Sequence, residues 1–276
     1  MLKKQLIAFG SLLCISLSLH TPAVAGHGQS LAQVFKSHKG NISDKWENYI
    51  YEYDAHFRKY QNKPMNLLEI GVQNGGSLQI WKKYFGLQAD IHGIDIEKSV
   101  CDMTLGDGIH TSCFDATDEM QLQALGNQTY DIIIDDGSHL CSHVIKSFTY
   151  LFKSVKPGGY FVVEDTHTSY WDQWEGGLNK IGTTIEYFKK IVDLVNYFHI
   201  RDDAFKASLS PHEVYCFQWV KSIKFVDSMI IIEKNMDARS MPIKRVMTGT
   251  VAPIVPASIT MGNEHGCFAN TINLAD

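Results

Sequence analysis

The chain has 276 residues, 45% of them hydrophobic and 20% charged, with a formal charge of −5. That is ordinary globular composition, long enough for one well-buried domain with decorations. A mildly acidic chain without a basic run excludes nucleic acid as the expected partner.

Residues 1–25 read as a secretory signal peptide. Lys3 and Lys4 form a basic start, "LIAFGSLLCISLSL" is an apolar run of 14 residues, and Ala23 and Ala25 stand at the −3 and −1 positions of a cleavage site. The run falls short of the roughly 20 residues that span a bilayer. Losing Lys3 and Lys4 moves the formal charge from −5 to −7, and no later segment has the length or apolarity of a span. The expectation is an exported protein, periplasmic or secreted, with no stable membrane span after cleavage. Cys101, Cys113, Cys141, Cys216 and Cys267 then remain, dispersed and without C-x-x-C spacing, which argues against zinc. Cys101 and Cys113 have two readings: separate buried thiols, or a bridge in an oxidising compartment.

In chain order, residues 26–43 are small and polar and are predicted to be a mobile segment. "SDKWENYIYEYDAHFRKY" (43–60) begins with a plausible cap, is rich in aromatics, and predicts a helix beside the main domain, closed by Pro64. A strand–helix alternation follows. "NLLEIGV" (66–72), "DIHGIDI" (90–96), "HTSCFD" (110–115), "YDIIIDD" (130–136) and "YFVVED" (160–165) predict strands. "SLQIWKKYFG" (77–86), "DEMQLQAL" (118–125) and "HVIKSFTYLFKSV" (143–155) predict the helices between them. This spacing implies βαβ units, and strands with little polar alternation imply a sheet covered on both faces. "TTIEYFKKIVDLVNYFHI" (183–200) is a further periodic helix, and "SIKFVDSMIIIEK" (222–234) reads as an antiparallel hairpin turning at Asp227-Ser228. The fold expected is α/β: a Rossmann-like, doubly wound, mostly parallel seven-stranded sheet with a terminal antiparallel hairpin strand. Residues 26–63 would form an N-terminal segment and helix, 64–234 the main domain, and 235–276 an extended or loosely packed C-terminal extension.

The strand ends carry the chemistry. Glu69-x-Gly71-x-x-x-Gly75-Gly76 lies between the first strand and first helix, where glycines let backbone approach a ligand. The turn lacks both dinucleotide G-x-G-x-x-G spacing and a Gly-Lys-Ser/Thr phosphate loop. Asp95 ends the second strand, where an acid can accept from both ribose hydroxyls, and Asp115 follows the third, within reach of an adenine edge. Three such loops suit a nucleoside without a pyrophosphate. The fourth strand delivers Asp135-Asp136 and His139, and the fifth delivers Glu164-Asp165. Neighbouring strands lie about 4.8 Å apart, so these acids would face one cleft. Asp136, Glu164 and Asp165 would supply hard oxygen ligands for Mg²⁺ or Ca²⁺, with either Asp135 or Asp136 as the ligand from the fourth strand. His139 is placed to act as a base. The plainer alternative is a helix cap at Asp136 or Ser138 and an exposed turn at Glu164-Asp165.

"LLEIGVQNGGSL", "IHGIDI", "YDIIIDDGSH" and "KPGGYFVVEDTHTSYW" together resemble class I S-adenosylmethionine-dependent O-methyltransferases. The resemblance covers roughly residues 43–234 and is nearest to the metal-dependent macrolide-sugar branch of the mycinamicin and tylosin pathways. It implies a methyltransferase domain that uses S-adenosylmethionine and Mg²⁺ or another divalent cation. It implies Asp136, Glu164 and Asp165 as metal ligands, His139 as general base, and Glu69, Gly71 and Asp95 at the cofactor. The implied partner is a small hydroxylated acceptor, such as a sugar. Tyr170 and Trp171 would line the acceptor pocket or serve as ordinary packing aromatics. An exported scaffold or nucleoside-binding protein without turnover is the competing expectation, and the sequence leaves self-association into a homo-oligomer open.

Overall fold

The computed structural model describes residues 28–101 and 103–243, together with two short strands at 246–247 and 272–273. The predicted signal peptide, most of the C-terminal extension and Cys267 lie outside the described residues.

Seven strands form the central sheet: β1 (Met65–Ile70), β2 (Ala89–Asp95), β3 (Ile109–Cys113), β4 (Tyr130–Asp135), β5 (Val155–Val163), β6 (Val220–Val226) and β7 (Met229–Lys234). Their spatial order is β3-β2-β1-β4-β5-β7-β6. The first five strands are parallel, whereas β7 inserts antiparallel between β5 and β6. The strand order reverses between β1 and β4, which opens a crevice at the carboxyl ends of the strands, where ligands of such sheets bind. The hairpin turns at Asp227-Ser228 as the sequence predicts, with Ser228 at φ 63°.

The helices are α1 (Leu31–Lys36), α2 (Glu47–Phe57), α3 (Gly76–Phe85), α4 (Lys98–Cys101), α5 (Glu119–Leu125), α6 (Cys141–Leu151), α7 (Thr184–Val195), α8 (Asp203–Ala207) and α9 (Pro211–Trp219). Side chains alternate along each strand, so β4 sends Ile132 and Ile134 to one face and Ile133 to the other, all fully buried. Ile132 and Ile134 pack with Tyr53, Trp81 and Phe85 of α2 and α3, while Ile133 packs with Phe148, Phe188 and Cys216 of α6, α7 and α9. Each such isoleucine contributes roughly 1.5–3 kcal/mol by leaving water. Both faces are covered, which is why the strands read as continuous apolar runs.

Two expectations are corrected at the N-terminus. Part of the segment predicted to be mobile forms α1, started by a reciprocal cap between Ser30 and Gln33 and held by buried Leu31 and Val34. The helix expected over 43–60 begins only at Glu47 and gives way to a 3₁₀ turn at Arg58–Tyr60. Ser43 to Trp46 remain non-helical because the side chains of Lys45 and Trp46 are bound at the strand ends. Of the two cysteine readings, the bridge is found: Cys101 and Cys113 form a disulfide between α4 and the end of β3. Cys141 and Cys216 are buried thiols. No helix among the described residues is long and apolar enough to cross a membrane.

Burial pushes the His212 imidazole in α9 down to about 4, against the weaker opposing pull of Glu213. It packs edge-on to Phe148, with Nε2 3.3 Å from Cys216 Sγ. The unfolded chain protonates this residue near pH 6.5. Between that value and about pH 4 the unfolded state therefore binds more protons than the folded one. The neutral imidazole's contribution is complete above about pH 6.5 and is lost as pH falls toward 4. Chemical denaturation over this range should show the His212→Leu variant gaining about 1–3 kcal/mol on wild type as pH drops.

Candidate active site

The cleft at the β1/β4 crossover has a volume of about 570 Å³. Of the residues expected at the site, Gly71, Asp95, Asp115, Asp136, His139 and Asp165 line it, together with Asp135. Gly71 is at φ 89°, and a Cβ there would stand 2.1 Å from the Asp136 carbonyl oxygen. Only glycine lets the β1 and β4 loops approach this closely. Asp95 folds the turn around itself: Oδ2 accepts from the N–H of Val72 (2.8 Å) and Gln73 (3.1 Å), and Oδ1 from that of Glu97 (3.0 Å). Asp115 accepts from the backbone and hydroxyl of Thr117, and those hydrogen bonds hold its carboxyl below the usual range. The half-exposed Phe114 and the exposed Ile96 add apolar wall beside these acids. Gly75, left-handed at φ 74°, caps the start of α3, and its neighbour Gly76 borders the cleft.

Glu69 stands behind the cleft wall. It is fully buried, and its Oε2 accepts from Ser77 Oγ (2.9 Å) and Trp81 Nε1 (3.0 Å) on α3. A residue expected to touch a ligand instead ties β1 to the following helix.

β4 and β5 are paired, with Asp135 opposite Val163, so the two acidic pairs emerge side by side. The acids of β4 point in different directions. Asp135 is buried, bonded by the Ser147 hydroxyl from α6 and by the Gly137 N–H at 3.3 Å, and burial raises its carboxyl to about 6. Asp136 turns into the cleft, where its Oδ1 lies 4.0 Å from His139 Nε2. His139 Nε2 is also 3.7 Å from Asp165 Oδ2. Both His139 (φ 58°) and Asp165 (φ 53°) adopt left-handed backbone, a conformation that costs side-chain-bearing residues roughly 1 kcal/mol or more and gathers at functional sites. One atom each from Asp136, His139 and Asp165 can lie within 4.8 Å of the others, a spacing that fits shared ligation of one ion. The two half-exposed carboxylates offer oxygen ligands to a divalent cation, with the imidazole beside them.

Glu164 forms a second such group with Glu69 and Asp136, with oxygens within 4.8 Å of one another. Its Oε1 accepts from Lys45 Nζ (2.8 Å) and the Tyr53 hydroxyl (2.5 Å), and its Oε2 from Lys45 Nζ (2.9 Å). The same ammonium reaches Asp136 Oδ2 at 2.5 Å and Glu69 Oε1 at 3.4 Å. Lys45 is therefore a buried cation among three acids from three strand ends. Burial alone would lower its pKa; the charges of Glu164, Asp136 and Glu69 outweigh that and hold it well above the ordinary value. Burial, reinforced by Asp136, raises Glu164 to about 8 despite Lys45.

Sequence reasoning missed Lys45 and Trp46, which it placed in a helix. Trp46 Nε1 donates to Asp165 Oδ1 (3.0 Å), and the Tyr49 hydroxyl accepts from the Asp165 N–H (2.9 Å). The available signal was charge: strand ends rich in acid require a counter-charge, and Lys45 opens the aromatic-rich segment. Tyr170 and Trp171 are half-exposed beside the site and do not line the cleft; Trp171 packs on His167, which packs on Trp46.

No protein-family model matches the chain. Among curated proteins, it is 32% identical over 223 residues to 8-demethyl-8-alpha-L-rhamnosyl tetracenomycin-C 2′-O-methyltransferase of Streptomyces olivaceus, covering 75% of this chain and 56% of that protein. It is 37% identical over 164 residues to mycinamicin VI 2″-O-methyltransferase of Micromonospora griseorubida, covering 55% and 40%. The chain is homologous to sugar O-methyltransferases. It spans about half the length of these relatives. The solved MycE methyltransferase of the mycinamycin pathway, in complex with Mg, SAH and mycinamycin VI, superposes with a TM-score of 0.67 at 27% identity, over 85% of this chain and 59% of that one. The mostly parallel seven-stranded sheet with antiparallel C-terminal strands expected from the sequence matches this methyltransferase Rossmann-like fold.

Gly71→Ala should cost about 2–4 kcal/mol, because the added methyl collides with backbone at a left-handed position. Denaturant unfolding measures that loss. Gly106→Ala is the reference: it is also left-handed, but no atom lies within 4 Å of its added Cβ, and it should cost markedly less.

Proposed function

We propose that the chain is an S-adenosylmethionine-dependent, divalent-metal-dependent O-methyltransferase acting on a hydroxyl of a sugar or other small molecule. The observation that carries this reading is the convergence of Asp136, His139 and Asp165 at the edge of a cleft built by the β1, β2 and β4 loops. The homologues' names and the Mg and SAH held by MycE support the same reading.

S-adenosylmethionine in the cleft would supply an electrophilic methyl group. Asp95 would accept from the ribose hydroxyls, Asp115 and Phe114 would meet the base, and the Gly71 turn would meet the amino-acid end; all four residues line the cleft. Asp136 and Asp165 would hold the divalent ion, which would supply the charge that makes an acceptor hydroxyl more acidic. Glu164, sequestered on Lys45 and Tyr53, would support the ion from behind through the charge balance of the cluster. His139 Nε2 would take the hydroxyl proton as the acceptor oxygen bonds to the methyl carbon and the sulfonium–methyl bond breaks, leaving the demethylated cofactor as a neutral thioether. Fixing donor and acceptor in line across one cleft supplies much of the acceleration.

We further propose that residues 1–25 are an export signal and that the working protein is periplasmic or secreted; the Cys101–Cys113 disulfide is in keeping with an oxidising compartment. One observation favours the competing reading of a binding protein without turnover: Lys45 already places a cation among the acids.

Calorimetry of the protein with S-adenosylmethionine, with and without Mg²⁺, tests the first reading. Cofactor binding together with chelator-sensitive methyl transfer to hydroxylated sugars supports it; no cofactor binding at millimolar concentration overturns it. His139→Ala should leave cofactor affinity unchanged and lower turnover by about 10²–10⁴-fold, the usual loss of a general base. Cofactor binding with no methyl transfer to any acceptor in wild type would favour the binding-protein reading.

A further inference from the structure

The Cys101–Cys113 disulfide lies on the nucleoside side of the cleft. Cys101 ends the α4 turn that follows Asp95, Ile96 and Glu97, and Cys113 is followed directly by Phe114 and Asp115. Those five flanking residues line the cleft. Cys113 is the register partner of Asp95 in the β2–β3 pair, and the Phe114 N–H donates to the Asp95 carbonyl at 2.9 Å. The bridged loop also reaches the glycine turn: a Cβ at Gly75 would stand 2.6 Å from Leu105 Cδ1. Beyond the β2–β3 ladder, little burial holds this margin. α4 has four residues and buries only Val100, while no residue of the edge strand β3 is buried. The Thr111 hydroxyl, shared between the Cys101 and Met103 carbonyls at 3.3 and 3.4 Å, adds one weak tie. A helix of one turn does not persist by itself.

We infer that the Cys101–Cys113 bridge is a positioning element of the cofactor site: it pins the turn after Asp95 to the β3 end that carries Phe114 and Asp115, and its reduction by a dithiol loosens the nucleoside half of the cleft. The inference rests on the cofactor reading above. The bridge closes a loop with a sequence separation of 12, so open arrangements of that loop are sharply restricted while it is intact. Cys113 is exposed and Cys101 half-buried, which lets a small thiolate reach the bond. Attack on one sulfur gives a mixed disulfide, which the second thiol of the reductant then displaces. Two electrons and two protons pass to the cysteines, which become two thiols, and the dithiol leaves as its own disulfide. Once cut, the cross-link no longer opposes opening of α4 and β3. A ligand that needs both walls then binds a smaller competent population. The acids at the ends of β4 and β5 lie on the other side of β1 from the bridge. Cofactor affinity would thus follow the redox state of the compartment, full where it is oxidising and weakened where it is reducing.

The test uses the full chain and S-adenosylhomocysteine, the demethylated product, which has no methyl group to transfer. Its affinity is measured by calorimetry in oxidised protein, after dithiothreitol, and after reoxidation, with thiol titration to show the bond cut and re-formed. Wild type should lose about tenfold in affinity on reduction and regain it on reoxidation. The Cys101→Ser/Cys113→Ser variant should sit near the reduced value and not respond to dithiothreitol. Hydrogen exchange of the reduced protein should show lost protection over residues 95–101 and 109–115 with β4 and β5 unchanged, a local pattern that general destabilisation would not give. An unchanged affinity after the thiols have appeared overturns the inference, as does a variant that still weakens in dithiothreitol. Should the variant fail to fold, exchange in reduced wild type decides. Loss confined to those two stretches supports the inference, and loss spread through β4 and β5 makes the bridge a general structural clamp and overturns it. Oxidised wild type that does not bind the probe overturns the cofactor reading itself, whereas binding without a redox response overturns the bridge inference alone.

Discussion

One ammonium organises the carboxyl edge of this sheet. Parallel strands that each end in an acid bring like charges together, because the strand spacing of about 4.8 Å is fixed by backbone hydrogen bonding. Lys45 meets Glu69 from β1, Asp136 from the β4 loop and Glu164 from the end of β5, at 3.4, 2.5 and 2.8 Å. Its burial carries a desolvation cost that a single ion pair would not repay, but three acids surround it, and the Tyr53 hydroxyl donates to one of them, Glu164. The N-terminal segment is thereby tied to three strands at once.

That tie explains why the acids differ in what they can do. Asp135 is bonded by Ser147 and Gly137, and Glu69 by Ser77, Trp81 and Lys45, so both are tied to the surrounding scaffold. Asp136 is divided, with Oδ2 on Lys45 and Oδ1 toward His139. Asp165, outside the ammonium's reach, is oriented by Trp46 and Tyr49. A row of similar carboxylates thus separates into buried struts and cleft-facing groups through the partners each one finds.

Strained backbone is found at the same place. His139 and Asp165 are both held in left-handed backbone, and Gly71 is pressed against the Asp136 carbonyl. Well-packed strands on either side, with Ile132, Ile133 and Ile134 fully buried, make these conformations tolerable. A rigid sheet under short, strained turns holds reactive side chains at defined distances, which chemistry at a hydroxyl requires.

Much of this was legible in the residues. Apolar runs punctuated by glycine and acid determined a doubly wound sheet, since strands buried on both faces must be apolar throughout and their turns must be polar. The placement of Asp95, Asp115, Asp136, His139 and Asp165 at strand ends followed from those boundaries, and so did their shared cleft. What sequence could not specify was orientation. Adjacent acids such as Asp135 and Asp136 are equivalent by position, and only the side-chain partners supplied by α6 and the N-terminal strap distinguish them. Lys45 lies 91 residues from Asp136 and 119 from Glu164, so no local pattern links them. The tertiary structure alone decided that this lysine would leave the expected helix, because a buried charge is stable only where the fold brings distant opposite charges around it.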